Sequence, residues 1–175
     1  MPARASRMTT RRPRAAASWS RKLARTRKRP VRKSKVNYVI SQVPPRKQRY
    51  ETVGDWIPGN PVKIRVSKMK DERYVFLVAL HEMVEYELCR MNGIADSEVV
   101  EFDINFEKER RERLHSIDAE AGDDPRAPYR DEHGFASMIE RMVAQKMGVS
   151  WSAYEKAILS LSPGRRIAIK PLIRN

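Results

Sequence analysis

Cysteine is nearly missing from these 175 residues: Cys89 stands alone, which excludes an internal disulfide and any cysteine-based zinc site and points to a reducing, cytoplasmic compartment. Long apolar runs are missing too. None reaches the roughly 18 residues of a membrane span, and the first apolar residues lie scattered among arginines, which argues against a secretory leader. Most unevenly distributed is negative charge: the first acid is Glu51.

Before that acid, residues 1 to 50 hold 17 of the 36 Lys and Arg side chains. The rest of the chain carries 19 basic and 22 acidic residues, a net charge of −3 against +14 for the whole. Residues 1–35, rich in Arg, Ala and Ser, have few large apolar residues, among them Met8, Trp19 and Leu23. That is too little buried surface to offset the entropy of ordering, so a disordered basic arm is expected. Its partner is expected to be a polyanion, because each neutralised phosphate releases counterions. Nucleic acid would be held by Arg11, Arg12, Arg14, Arg21, Lys22, Arg25, Arg27, Lys28, Arg29, Arg32, Lys33 and Lys35. A solubilising tail, an over-long translation start with Met8 as initiator, and an organelle transit peptide remain alternatives for the same composition.

Residues 36–175 read as a single α+β domain. VNYVISQV (36–43) is β-prone and ends at Pro44-Pro45. Residues 49–57 and 62–67 alternate, with Pro58-Gly59-Asn60-Pro61 between them, so they are expected to form a hairpin in a small antiparallel sheet. A helix follows, DERYVFLVALHEMVEYELCRMNG. Tyr74, Leu77, Val78, Val84, Leu88 and Met91 recur at three- and four-residue steps, Asp71 can cap the start, and Gly93 can supply the left-handed stop. Residues 94–104 read as a connector and 106–114 as a charged helix with His115 facing solvent beyond it; residues 118–131 read as a break. A helix over about 131–147 is expected to turn Phe135, Ile139, Met142, Val143 and Met147 inward, and a short final helix over 151–160 to bury Trp151, Tyr154 and Ile158.

Within the first helix His81 and Glu85, one turn apart, fall inside the apolar stripe. A buried carboxylate must be paired, protonated or bound to a metal. Fifty-two residues after His81 comes His133, with Glu140 two turns further along the same helix. His81, Glu85 and His133 together make a two-His, one-carboxylate set, a composition found in catalytic zinc hydrolases. Zinc is the preferred ion; iron or manganese, and a two-metal site, stay open. Glu140 would orient an imidazole or serve as fourth ligand. The same residues could instead form a metal-free hydrogen-bond network.

The stretch HEMVE resembles the zincin metallopeptidase signature H-E-x-x-H, with Glu85 where the family has its second histidine. That resemblance implies a zincin-like fold, a sheet packed on a metal-binding helix with a helical C-terminal half, and Glu82 as general base. The leading expectation is a peptidase-like zinc hydrolase with a nucleic-acid-binding arm. A compact domain bearing a polycationic arm also looks like a phage or mobile-element protein, cytoplasmic or virion-associated. The alternatives are a non-enzymatic nucleic-acid-associated or virion structural protein, and a metal-dependent nuclease if the acids of 118–131 join the site.

Overall fold

The computed structural model describes residues 36–161. The twelve basic positions of the arm therefore lie outside the described residues, as does the C-terminal RRIAIKPLIRN.

Three short strands form one sheet: β1 Tyr38–Val43, β2 Gly54–Ile57 and β3 Val62–Ser67. The alternation read in the sequence holds in β3, where Val62, Ile64 and Val66 are buried while Lys63 is exposed. β2 and β3 pair as the expected antiparallel hairpin, with Trp56 opposite Ile64. The sheet is nevertheless mixed rather than antiparallel, because β1 lies parallel to β3 on its other side, from Tyr38 opposite Val62 to Val43 opposite Ser67. The connection from β1 to β2 makes this possible by passing β3. Gln48 Nε2 ties that connection down, donating to the Val53 carbonyl at 3.1 Å and to Ser67 Oγ at 3.2 Å.

Helix α1 spans Glu72–Asn92. Both expected caps form: Asp71 accepts from the Arg73 N–H at 2.9 Å, and Gly93 takes φ 81°, its N–H bonded to the Cys89 carbonyl. One face of α1, with Leu77, Val78 and Cys89, is buried. Met91, expected inward, is 71% exposed because it falls on the last turn, past the sheet.

Helix α2 runs without a break over Asp96–Arg111. The expected connector over 94–104 is thus helical, started where Glu98 accepts the Ala95 N–H at 2.7 Å. His115 is not solvent-facing: its ring stacks on Phe106 at 4.0 Å and its Nε2 meets Glu109 at 2.7 Å. The loop that follows contains a 3-10 turn, Ala121–Asp123.

Helix α3 spans Arg130–Lys146 and α4 spans Trp151–Leu159. Here the inward arc differs from the expected one. Glu132, His133, Ala136, Glu140 and Ala144 are buried, whereas Phe135, Met138 and Met142 are 46%, 49% and 60% exposed. The small Ala136 and Ala144 allow α3 to pack closely on α1, and that rotation carries the polar residues inside. Tyr154 of α4 is 1% exposed and packs edge-on against Tyr74 at 5.1 Å.

Candidate metal centre

His81 and Glu85 come from successive turns of α1 and His133 from the first turn of α3. Packing these two helices together makes the three residues converge. His81 Nε2 lies 3.2 Å from His133 Nδ1 and 3.3 Å from Glu85 Oε2, and His133 Nδ1 lies 3.0 Å from the same Glu85 oxygen.

Two outer atoms of this triad have hydrogen-bond partners, and the third, His133 Nε2, is buried without one but faces two carboxylates. His81 Nδ1 meets Glu140 Oε2 at 3.0 Å, and the other Glu140 oxygen accepts from the Tyr154 hydroxyl. His133 Nε2 faces Glu120 at 3.4 Å and Asp123 at 4.0 Å. Glu85 Oε1 accepts from the indole N–H of Trp56 at 3.0 Å. A carboxylate at a ring nitrogen holds the proton there and leaves the opposite nitrogen as a lone pair, which is the tautomer Glu140 favours in His81. Three polar atoms, His81 Nε2, His133 Nδ1 and Glu85 Oε2, converge on one spot that a cation or protons can fill.

Ionisation follows from the same geometry. Burial works against a charged His81, but hydrogen bonds from Glu140 and Glu85 outweigh it and raise its pKa well above the usual range. For His133 burial is likewise outweighed, by Glu120 and Glu85, and the value rises to about 9. Burial pushes Glu85 up, yet His133 and His81 hold it far below an ordinary carboxylate. The pocket takes up positive charge readily.

The triad forms the floor of a cavity of about 360 Å³. Glu82 lines it, half-buried against Gly54, where an added Cβ would collide with the Glu82 carboxylate. Burial and the neighbouring Glu85 raise its pKa. Gly122 packs against the His133 ring with equal closeness, so a methyl there would also collide. The far wall carries Asp103, which accepts from the Tyr50 hydroxyl at 3.0 Å and from Tyr129, and which burial lifts to about 7.

Comparison of the chain with protein-family models, curated proteins and solved structures finds no match. What the site is must come from its own atoms.

Ligand atoms about 2.0–2.1 Å from a tetrahedral ion lie roughly 3.3–3.4 Å apart. The triad's separations, 3.0 to 3.3 Å, come within a few tenths of an ångström of that. His81, Glu85 and His133 are thus close enough together to share one ion, and Glu140 sits on the outer nitrogen of His81, away from the point where the three converge. A second group, Glu120, Asp123 and His133, could also hold an ion, but it would compete for the nitrogen that Glu120 orients.

Sequence reasoning missed Glu120, Asp103, Tyr129 and Tyr154. Glu120 sits in the loop before α3, and no periodicity marks a loop residue as inward. An Arg49–Asp55 pair at 2.7 Å, its aspartate buried and its arginine not, was missed as well; Arg49 also reaches Asp96 at 2.8 Å and so joins β2 to the start of α2. Among the described residues no helix is long and apolar enough to cross a membrane.

Proposed function

We propose that this protein is a metal-dependent hydrolase, peptidase-like, that holds one zinc ion with His81, Glu85 and His133. The observation that supports this most is the convergence of His81 Nε2, His133 Nδ1 and Glu85 Oε2, all within 3.3 Å of one another. Glu140 takes the far nitrogen of His81, and Glu120 approaches that of His133 to 3.4 Å. Protonated histidines bonded to Glu85 would satisfy the same atoms without metal, so the two readings differ in what fills the spot, a cation or protons.

When bound, the ion would lower the pKa of a coordinated water and polarise a carbonyl. Glu82 serves as the base. It borders the cavity next to the triad, and no hydrogen bond holds its carboxyl elsewhere among the described residues. Trp56 fixes Glu85 from behind through its indole N–H. Tyr154 fixes Glu140, and Glu140 fixes His81. The resemblance of HEMVE to the zincin signature agrees with these roles.

The loop acids do border the cavity, Asp118 and Glu120 among them, and this favours a metal-dependent nuclease as a second reading. Against it stands the lining, in which no Lys or Arg occurs among the described residues while Asp and Glu are frequent. The basic arm is proposed to bind nucleic acid, apart from the reaction.

Metal analysis of the purified full-length protein tests the proposal. One zinc per chain is expected, lost in His81→Ala and in His133→Ala. Glu82→Gln should retain zinc and lose peptide hydrolysis by about 10²–10⁴-fold, the usual contribution of a general base. Wild-type protein that takes up no divalent ion would leave the metal-free network as the better reading.

A further inference from the structure

The two edges of the sheet are finished differently. On β2 the outward carbonyls of Gly54 and Trp56 are taken by side chains: Thr52 Oγ1 donates to the first at 2.7 Å and Arg49 Nη2 to the second at 2.9 Å. β1 has no such cover. The Asn37 and Val43 carbonyls accept from Val62 and Lys68 on the β3 side, so by alternation the N–H and C=O groups of Tyr38, Ile40 and Gln42 point away from the sheet. Among the described residues no hydrogen bond reaches them. Natural edge strands are usually guarded by charge, proline or a bulge. YVISQV contains neither a charged residue nor a proline, and Val39 and Ile40 within it are exposed.

An apolar border runs beside this open edge. Ile40 lies opposite Ile64 and so points to the face that α1 covers, yet it stays exposed because α1 packs on β2 and β3. On α1 itself Phe76, Met83 and Glu87 share one stripe. Glu87 accepts from the Tyr38 hydroxyl, which marks that stripe as the one beside β1. Phe76 is exposed on it and Met83 half-buried.

We propose that β1 pairs with β1 of a second copy of this chain, antiparallel about a two-fold axis through Ile40, joining the two sheets into one. A second copy fits because the open groups are symmetric about Ile40: Tyr38 faces the partner's Gln42, Ile40 faces the partner's Ile40, and about six main-chain hydrogen bonds form, two for each pair. The strand carries no charge, so no like charges meet across the axis. Both copies of α1 then lie on one face of the joined sheet, which brings the two apolar borders together. Each copy spends its one open edge, while Arg49 and Thr52 close the other, so assembly stops at two.

Sedimentation equilibrium of full-length, nuclease-treated protein at high salt, where nucleic acid no longer bridges copies, should give twice the chain mass. Gln42→Pro removes an outward N–H and none of the bonds to β3, so it should leave the far-UV circular dichroism unchanged and raise the dimer's dissociation constant at least about tenfold. Phe76→Lys, on the helix and off the strand, serves if the proline variant does not fold, and should weaken the dimer several-fold. Oxidised Ile40→Cys should form a covalent dimer, because directly opposed residues of a hydrogen-bonded pair have Cα atoms about 5.5 Å apart, within disulfide reach. Lys63→Cys, exposed on the middle strand, should not. A monomer throughout the micromolar range, as when another segment of the chain or a foreign peptide holds the edge, overturns the proposal. So do larger assemblies, a dimer indifferent to both substitutions, or cross-linking through Lys63→Cys as fast as through Ile40→Cys.

Discussion

His81 Nε2 and His133 Nδ1 face each other at 3.2 Å across the α1–α3 packing, with Glu140 hydrogen-bonded behind the first ring and Glu120 3.4 Å behind the second. The two helices are thereby joined at their most polar point. An ion at that point would bridge them, since both would then share one set of bonds.

Metal should therefore raise the melting temperature of the protein. Ligand at 100 times its dissociation constant stabilises by about 2.7 kcal/mol, which calorimetry with and without zinc would detect. In His133→Ala the increment should vanish. An undiminished increment in that variant would remove His133 from the ligand set.

Two glycines give a cleaner test of positioning. Gly122→Ala puts a methyl into the His133 ring, and Gly54→Ala puts one into the Glu82 carboxylate. The first should weaken zinc binding by about 10–100-fold, the usual effect of disturbing what orients a ligand. The second should depress hydrolysis more than zinc affinity, because the Glu82 carboxylate must swing aside, while its contact with Val78 Cγ1 on the same helix should also lower stability. Competition with a chromophoric chelator reads the affinities, and the reverse pattern would exchange the roles assigned to the two residues.

Asp103 sets a pH dependence away from the triad. Its pKa is raised by burial to about 7 in the fold, against about 3.9 in an unfolded chain. The native state then holds the proton more tightly than the unfolded state, so this group's contribution is complete below about pH 4 and is lost as pH rises through 7. Denaturant titrations of wild type should show a fall in stability across that window. Asp103→Asn, which keeps the neutral form, should flatten it; an unchanged slope would assign the pH dependence to other groups.

For the arm, filter binding should show sequence-tolerant affinity for DNA or RNA that falls steeply with salt. Changing Arg25, Arg27, Arg29 and Arg32 to Gln in the full chain should shallow that slope by about 0.9 for each phosphate no longer neutralised. Affinity insensitive to salt would give the arm another purpose.

Much of the domain was legible because local rules and tertiary demands agree. Asp71 and Gly93 cap α1 as their types dictate, and the alternation of β3 holds from Val62 to Val66 and breaks at its end, where Ser67 is buried as well. The convergence of His81, Glu85 and His133 was legible for the opposite reason: a carboxylate amid an apolar stripe is a local contradiction, and contradictions mark sites. α3 escaped this logic. Its largest apolar residues, Phe135 and Met142, outvote Ala136 and Ala144 in any count of hydrophobicity, yet only the small residues let α3 approach α1 closely. The parallel placement of β1 was illegible because nothing in its side-chain pattern names a neighbour, and Glu120 because loops have no period.

Cys89, the lone thiol, is wholly buried in α1, where burial lifts it to about 12. An alkylating reagent can reach it only when the helix lifts from the sheet, and only the thiolate reacts. The rate of its modification is accordingly a clock for opening of the protein, built into the native sequence without any added probe. Slower labelling on addition of zinc would time, on the same helix that carries His81 and Glu85, how long the chain stays shut.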